Sequence, residues 1–72
     1  MEITAYYEEL ARNMRIERAR LNITQLKLAV MSGVSVDTIN LLERASGNPR
    51  LSTIIAVAKA LNVDLNTLIK LK

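Results

Sequence analysis

Neither cysteine nor histidine occurs in the 72 residues. That removes disulfides, thiolate nucleophiles, zinc sites of the Cys/His type and imidazole catalysis together. Phe and Trp are also missing and Tyr appears only twice, so a core has to be assembled from Leu, Ile, Val, Ala and Met. No apolar run approaches the roughly 18 residues of a membrane span. The N-terminal residues lack the basic stretch and apolar stretch of a secretory signal. These absences favour a cytoplasmic protein with no membrane partner. There is no Gly-rich phosphate loop and no acid pair with a supporting base, so neither enzyme activity nor a cofactor or metal is expected. The adjacent Glu8 and Glu9 fall on different helix faces and need no catalytic role.

What is present is mostly aliphatic. Half of the residues are hydrophobic and the mean hydropathy is +0.15. A domain of this size buries only about 60% of its unfolded surface, so an apolar excess favours an oligomer, the homodimer being the simplest. The formal charge of +3 and a pI near 9.7 suit an anionic partner without demanding one.

Helical spacing runs through the whole chain, and no segment reads as a strand. Residues 5–21 carry Leu10, Met14, Arg18 and Leu21 on one stripe, with Thr4 as a candidate N-cap. An arginine in an apolar stripe needs a partner. Thr24 caps a second helix ending near Ser32, with Leu28 and Ala29 inward. Ser35 caps a third, ending near Arg44, with Ile39 and Leu42 inward. Ser46, Gly47, Asn48 and Pro49 make the one clear loop. Beyond it, Leu51, Ile54, Ile55, Ala58 and Leu61 mark a fourth helix, and Asp64 caps a short fifth with Leu65, Leu68 and Ile69. The fold class is all-α, a single domain over residues 1–72. Residues 1–9 extend the first helix, 24–44 form two crossing helices, 45–50 a loop and 51–72 the last two helices.

The second and third helices meet at one glycine. A close crossing needs a small side chain at Ala29, and Gly33 can take φ > 0 at little steric cost, turning the chain sharply. Val34, Ile39 and Leu42 then fill the crevice. Such a pair places one helix in the major groove of DNA while the other braces it.

With these residues, the chain resembles the Cro and lambda-repressor family of helix-turn-helix proteins, the XRE type. The matching positions are Arg18, Thr24 and Gln25, Leu28 and Ala29, Gly33 to Ser35, Ile39, Glu43, Pro49, Ala58, Ala60 with Leu61, and Val63. They spread over about residues 10–69. The resemblance implies a five-helix lambda-repressor-like domain that binds double-stranded DNA as a homodimer and regulates transcription, encoded by a bacterium or a phage. The short length resembles the stand-alone members. It also implies that Arg18 pairs with Glu43 in a partly buried bridge fixing the recognition helix; the alternative is two unrelated solvated charges.

By position, Ser35, Val36, Asp37, Asn40 and Leu41 lie on the outer face of the third helix, and the resemblance implies that these sites face the groove as candidate base contacts. Asn40 can bond adenine bidentately, and Val36 or Leu41 can meet a thymine methyl. Asp37 can accept from cytosine, yet phosphates repel it. Asp37 and Glu43 outweigh Arg44 within the helix, for a net charge of −1, so attraction to DNA has to come from neighbouring groups. Candidate phosphate or minor-groove contacts are Thr24 and Gln25 at a helix N-terminus, with Lys27, Arg44, Asn48 and Arg50. For Arg50 the alternative is a solvated charge near a helix start. Arg12, Arg15 and Arg20 read as solvated, paired with Glu8, Glu9 or Glu17.

One departure from the family stands out. Charged residues usually occupy the outer side of the second helix, but Leu26, Val30 and Met31 stand there, with Lys27 the polar exception. The turns around Tyr6 and Tyr7 are expected to cover this strip; the alternative is a protein partner. A protein-interaction module with weak or no DNA binding is therefore the competing function. Leu65, Leu68, Ile69 and Leu71 are the candidate dimer residues.

Overall fold

A computed structural model describes residues 2–70. Five helices account for it: α1 (Ile3–Arg20), α2 (Gln25–Ser32), α3 (Val36–Glu43), α4 (Leu51–Leu61) and α5 (Leu65–Leu68). Helix α1 packs on α3 and α5, α2 packs on α3 and α4, and α4 closes against α5. Leu10, Met14, Leu28, Ile39, Val57, Leu61 and Leu68 are fully buried at the centre. No helix among the described residues is long and apolar enough to cross a membrane.

The helix ends explain why the chain breaks where it does. Thr24 and Ser35 cap as expected, accepting from the backbone N–H of Lys27 (3.0 Å) and Thr38 (3.1 Å). Gly33 closes α2 at φ 74°, its N–H bonding Ala29 O at 2.9 Å. A Cβ placed on Gly33 would meet nothing within 4 Å, so glycine is required there by backbone conformation rather than by space.

The stops of α1, α3 and α4 are Schellman turns that turn patterns at Gly or Pro do not reveal. Asn22, Ala45 and Asn62 sit at φ 56°, 55° and 58°. In each, the following N–H reaches back five residues: Ile23 to Arg18 O (3.2 Å), Ser46 to Leu41 O (2.9 Å) and Val63 to Ala58 O (3.0 Å). Asparagine tolerates this conformation and alanine does so at a cost. Ile23 and Val63, the residues just past two of the turns, pack against the core.

Several inward assignments change. Thr4 lies inside α1 rather than capping it, because Ala5 N–H already closes a turn on Glu2 O at 3.0 Å. Leu21 is exposed, since the turn at Asn22 rotates it outward and Ile23 takes its place. In α4, Val57 is buried while Leu51 and Ile55 are exposed. So many positions of that helix are apolar that periodicity cannot select the face; packing against α2 and α5 does. Asp64 occupies the N-cap of α5 without a side-chain cap bond. Leu68 is buried and Ile69 half-buried, whereas Leu65 is exposed; Leu71 lies outside the described residues.

Candidate nucleic-acid interface

At the C-terminal end of α3, the buried carboxylate of Glu43 gathers the framework. Arg18 reaches it from α1 with two parallel bonds, Nε to Oε2 at 2.9 Å and Nη2 to Oε1 at 3.0 Å. Its Nη1 also donates to Ile23 O at 2.9 Å, so one guanidinium ties the end of α1 to the end of α3. The expected bridge is present. The hydrogen bond to Glu43 is the larger cause raising the Arg18 pKa above its ordinary value, against the opposing effect of burial. A pKa raised on folding contributes stability at every pH below the ordinary guanidinium value and loses it only as pH rises through the folded one. Arg18 is thus charged and stabilising at all pH values where proteins are handled.

Arg15 is not merely solvated. Its Nη1 donates to the Glu43 backbone carbonyl, satisfying an acceptor at the C-terminal end of α3 where the helix dipole favours a cation. Arg20 does pair with Glu17, Nε to Oε1 at 2.8 Å. Glu9 instead accepts from the backbone N–H of Lys70 at 2.8 Å.

The outer face of α3 presents Val36, Asp37, Leu41 and Arg44 as exposed residues, with Asn40 half-buried beside them. Asp37 lies in the first turn of α3, where a negative charge stabilises the helix; that gives the acid a structural reason independent of any base. Ser35 spends its hydroxyl on the cap, accepting from Thr38 N and donating to Thr38 Oγ1 at 2.9 Å. Thr24 uses only a lone pair in its cap, which leaves its O–H as a donor beside the exposed Lys27.

Gln25 sits differently from its expected place at a phosphate. Its side chain turns inward, donating to Glu43 Oε1 at 3.2 Å and accepting from Asn40 Nδ2 at 3.4 Å. Arg44 Nη1 in turn donates to Asn40 Oδ1 at 3.2 Å. Nothing in residue spacing announces these links, because they join α2 to α3 across the crossing. Asn48 accepts from Tyr7 Oη at 2.8 Å, and Arg50 is exposed at the N-cap of α4.

The apolar strip on α2 is uncovered: Leu26 is 63%, Val30 72% and Met31 44% exposed. The expectation that the N-terminal turns cover it is wrong, because the bond from Tyr7 directs them to the 45–50 loop instead.

The helix-turn-helix family model matches residues 14–68. The chain belongs to the Cro and lambda-repressor type of helix-turn-helix proteins. That family is one of DNA-binding regulators rather than enzymes. Control protein C.SmaI of Serratia marcescens is 42% identical over 62 residues, covering 86% of this chain and 74% of that protein. The crystal structure of a hypothetical transcription factor, NHTF from Neisseria, superposes with a TM-score of 0.85 at 33% identity, over 89% of this chain and 74% of the other. The restriction-modification controller protein C.AhdI of Aeromonas hydrophila gives 0.84 at 26% identity, over 90% and 98%.

Proposed function

We propose that this helix-turn-helix protein regulates transcription as a cytoplasmic homodimer, each copy laying α3 in the major groove of one operator half-site. The observation that carries the reading is the joint geometry of α2 and α3. Asn40, Val36 and Leu41 lie on the outer face of α3, while Thr24, Lys27 and Arg44 supply donors and positive charge around it. Asn40 reads adenine; Val36 and Leu41 meet thymine methyls. Ser35 and Asp37 serve the helix start first and approach bases second. Backbone N–H groups at Gln25 and the side chains of Thr24, Lys27, Arg44 and Asn48 hold phosphates, and Arg50 reaches phosphate or minor groove from the start of α4. The likeness to two control proteins favours a controller of restriction-modification genes among such regulators.

Dimerisation draws support from α4 and α5. Leu51, Ile55 and Leu65 are exposed on these helices, and Leu51, Ile54, Leu65, Asn66 and Ile69 line a groove of about 160 Å³. The patch shares no residue with the α3 face, so pairing through it leaves both recognition helices uncovered. A dimer spaces its half-sites about one helical turn, roughly 34 Å, apart. Leu65→Lys is expected to shift sedimentation at micromolar concentration from dimer to monomer; an unchanged dimer removes this patch from the interface.

Selection of binding sites from random duplex DNA tests the main reading. The expected product is a two-fold symmetric sequence, bound with an affinity that falls steeply with salt. Absence of binding even at low salt would instead support the second reading, a protein-interaction module. One observation favours that alternative, the uncovered strip of Leu26, Val30 and Met31.

A further inference from the structure

A cleft of about 390 Å³ opens between α1 and the end of α3, and it is rich in guanidinium groups. Arg12 and Arg15 line it from α1 and Arg44 from the C-cap of α3, with Glu8, Glu43 and two alanines completing the wall. The Glu43 carboxylate is already paired with Arg18. Glu8 is therefore the one acid set against three cations, which leaves the cleft with an excess of positive charge.

Two of the three cations are held in place. Arg15 Nη1 donates to the Glu43 carbonyl, and Arg44 Nη1 donates to Asn40 Oδ1 at 3.2 Å. A guanidinium carries five N–H donors, so each keeps most of its capacity. Arg12 has no hydrogen-bond or ion-pair partner among the described residues. Glu8 stands four residues before it, a spacing that favours a helical ion pair, yet the two do not pair. The dipole at the end of α3 gives Arg15 a structural reason; it gives Arg12 none.

An open cleft with guanidiniums of unspent capacity suits an anion that accepts from several forks at once. Phosphate does this. Arg44 also belongs to the outer face of α3, so the cleft is continuous with the surface proposed to enter the groove. That helix is itself net negative, and attraction to the DNA backbone has to come from beside it. We propose that the cleft holds one backbone phosphate of the bound DNA, with Arg12, Arg15 and Arg44 as its donors. The proposal rests on the DNA-binding reading above and adds α1 to the elements that touch DNA.

The test uses Arg12→Gln, which removes a charge without breaking any bond of the folded protein. Lys59→Gln, which removes a charge from the last turn of α4, is its control. A thermal melt checks folding, and affinity for the selected operator and for random DNA is then measured across a range of salt. Losing one phosphate contact lowers the slope of log affinity against log salt by about 0.9. Arg12→Gln should show this change, which amounts to roughly fivefold weaker binding at about 0.15 M salt. The loss should be the same on operator and on random DNA. Arg12→Lys should recover most of the slope, because it restores the charge, and Glu8→Gln should bind more tightly than wild type. Lys59→Gln should leave slope and affinity close to wild type.

A wild-type slope in Arg12→Gln would overturn the assignment and leave the cleft to an acidic protein partner. An equal loss in Lys59→Gln would also overturn it, because net charge rather than a site would then be responsible. Inorganic phosphate alone should bind weakly, as read by the Arg12 Nε–H NMR signal. Saturation at micromolar phosphate would make the cleft a small-anion site and overturn the DNA assignment. If wild-type protein binds no DNA even at low salt, the functional reading falls with it; loss of the Arg12 effect alone leaves that reading standing.

Discussion

The two ends of the α2–α3 pair are held by different physics. Toward α1, α3 is fixed by polar groups: Arg18 on the Glu43 carboxylate, Arg15 on its carbonyl, Tyr7 on Asn48 of the following loop. Toward α4, α2 rests on hydrocarbon, with Leu28, Val57 and Leu61 fully buried. Hydrocarbon fills volume and is indifferent to small rotations, whereas paired charges fix direction as well as distance. The directional half lies under the residues proposed to face DNA. The apolar half lies under the patch proposed for pairing with a second copy.

The contrast is broken most severely by removing one charge. Glu43→Ala should destabilise the domain by about 3–5 kcal/mol, because Arg18 is left without its carboxylate in a partly buried site. Denaturant melts measure the loss, and near-native stability would remove the bridge from the framework. Replacing both partners, Arg18→Met with Glu43→Leu, sharpens the point. Much of the stability should return, while preference among operators should not.

Leu61→Ala in the apolar half is expected to cost about 2–5 kcal/mol. Its operator preference, measured on the folded fraction, should stay that of wild type. A shift in preference equal to that of Glu43→Ala would erase the distinction between the halves.

Smaller effects probe the end of α3. Ala45 holds a left-handed conformation at φ 55°, which costs an L-residue roughly 1–2 kcal/mol. Ala45→Gly relieves this and should raise stability by about 0.5–1 kcal/mol after the entropy of glycine is subtracted. An unchanged or lower melting temperature would mean that the turn carries no strain. Tyr7→Phe removes one exposed bond to Asn48 and should cost about 0.5 kcal/mol. A loss of several kcal/mol there would show that the N-terminal turns brace the loop far more than one hydrogen bond implies.

Much of this was legible from residue order. Thr24 and Ser35 are strong caps immediately before apolar periodicity, and Gly33 is a residue for which φ > 0 is easy, so α2, the turn and α3 follow locally. The terminators of α1, α3 and α4 were harder. Asn22 before Ile23 and Asn62 before Val63 carry a weak signal for the left-handed turn, and Ala45 carries none. The α4 face was illegible because that helix is apolar almost all round.

By itself the sequence determined an all-α domain with two short helices crossing at Ala29 and Gly33, because caps, turns and 3.6-residue spacing act over a few residues. Only the tertiary structure decided which apolar residues are covered: it buried Val57, and it left Leu26, Val30 and Met31 in solvent. It also decided that Gln25 faces Glu43 and Asn40 rather than outward. Such contacts join residues far apart in the chain, and a side chain's partner depends on how the helices pack, which no local pattern encodes.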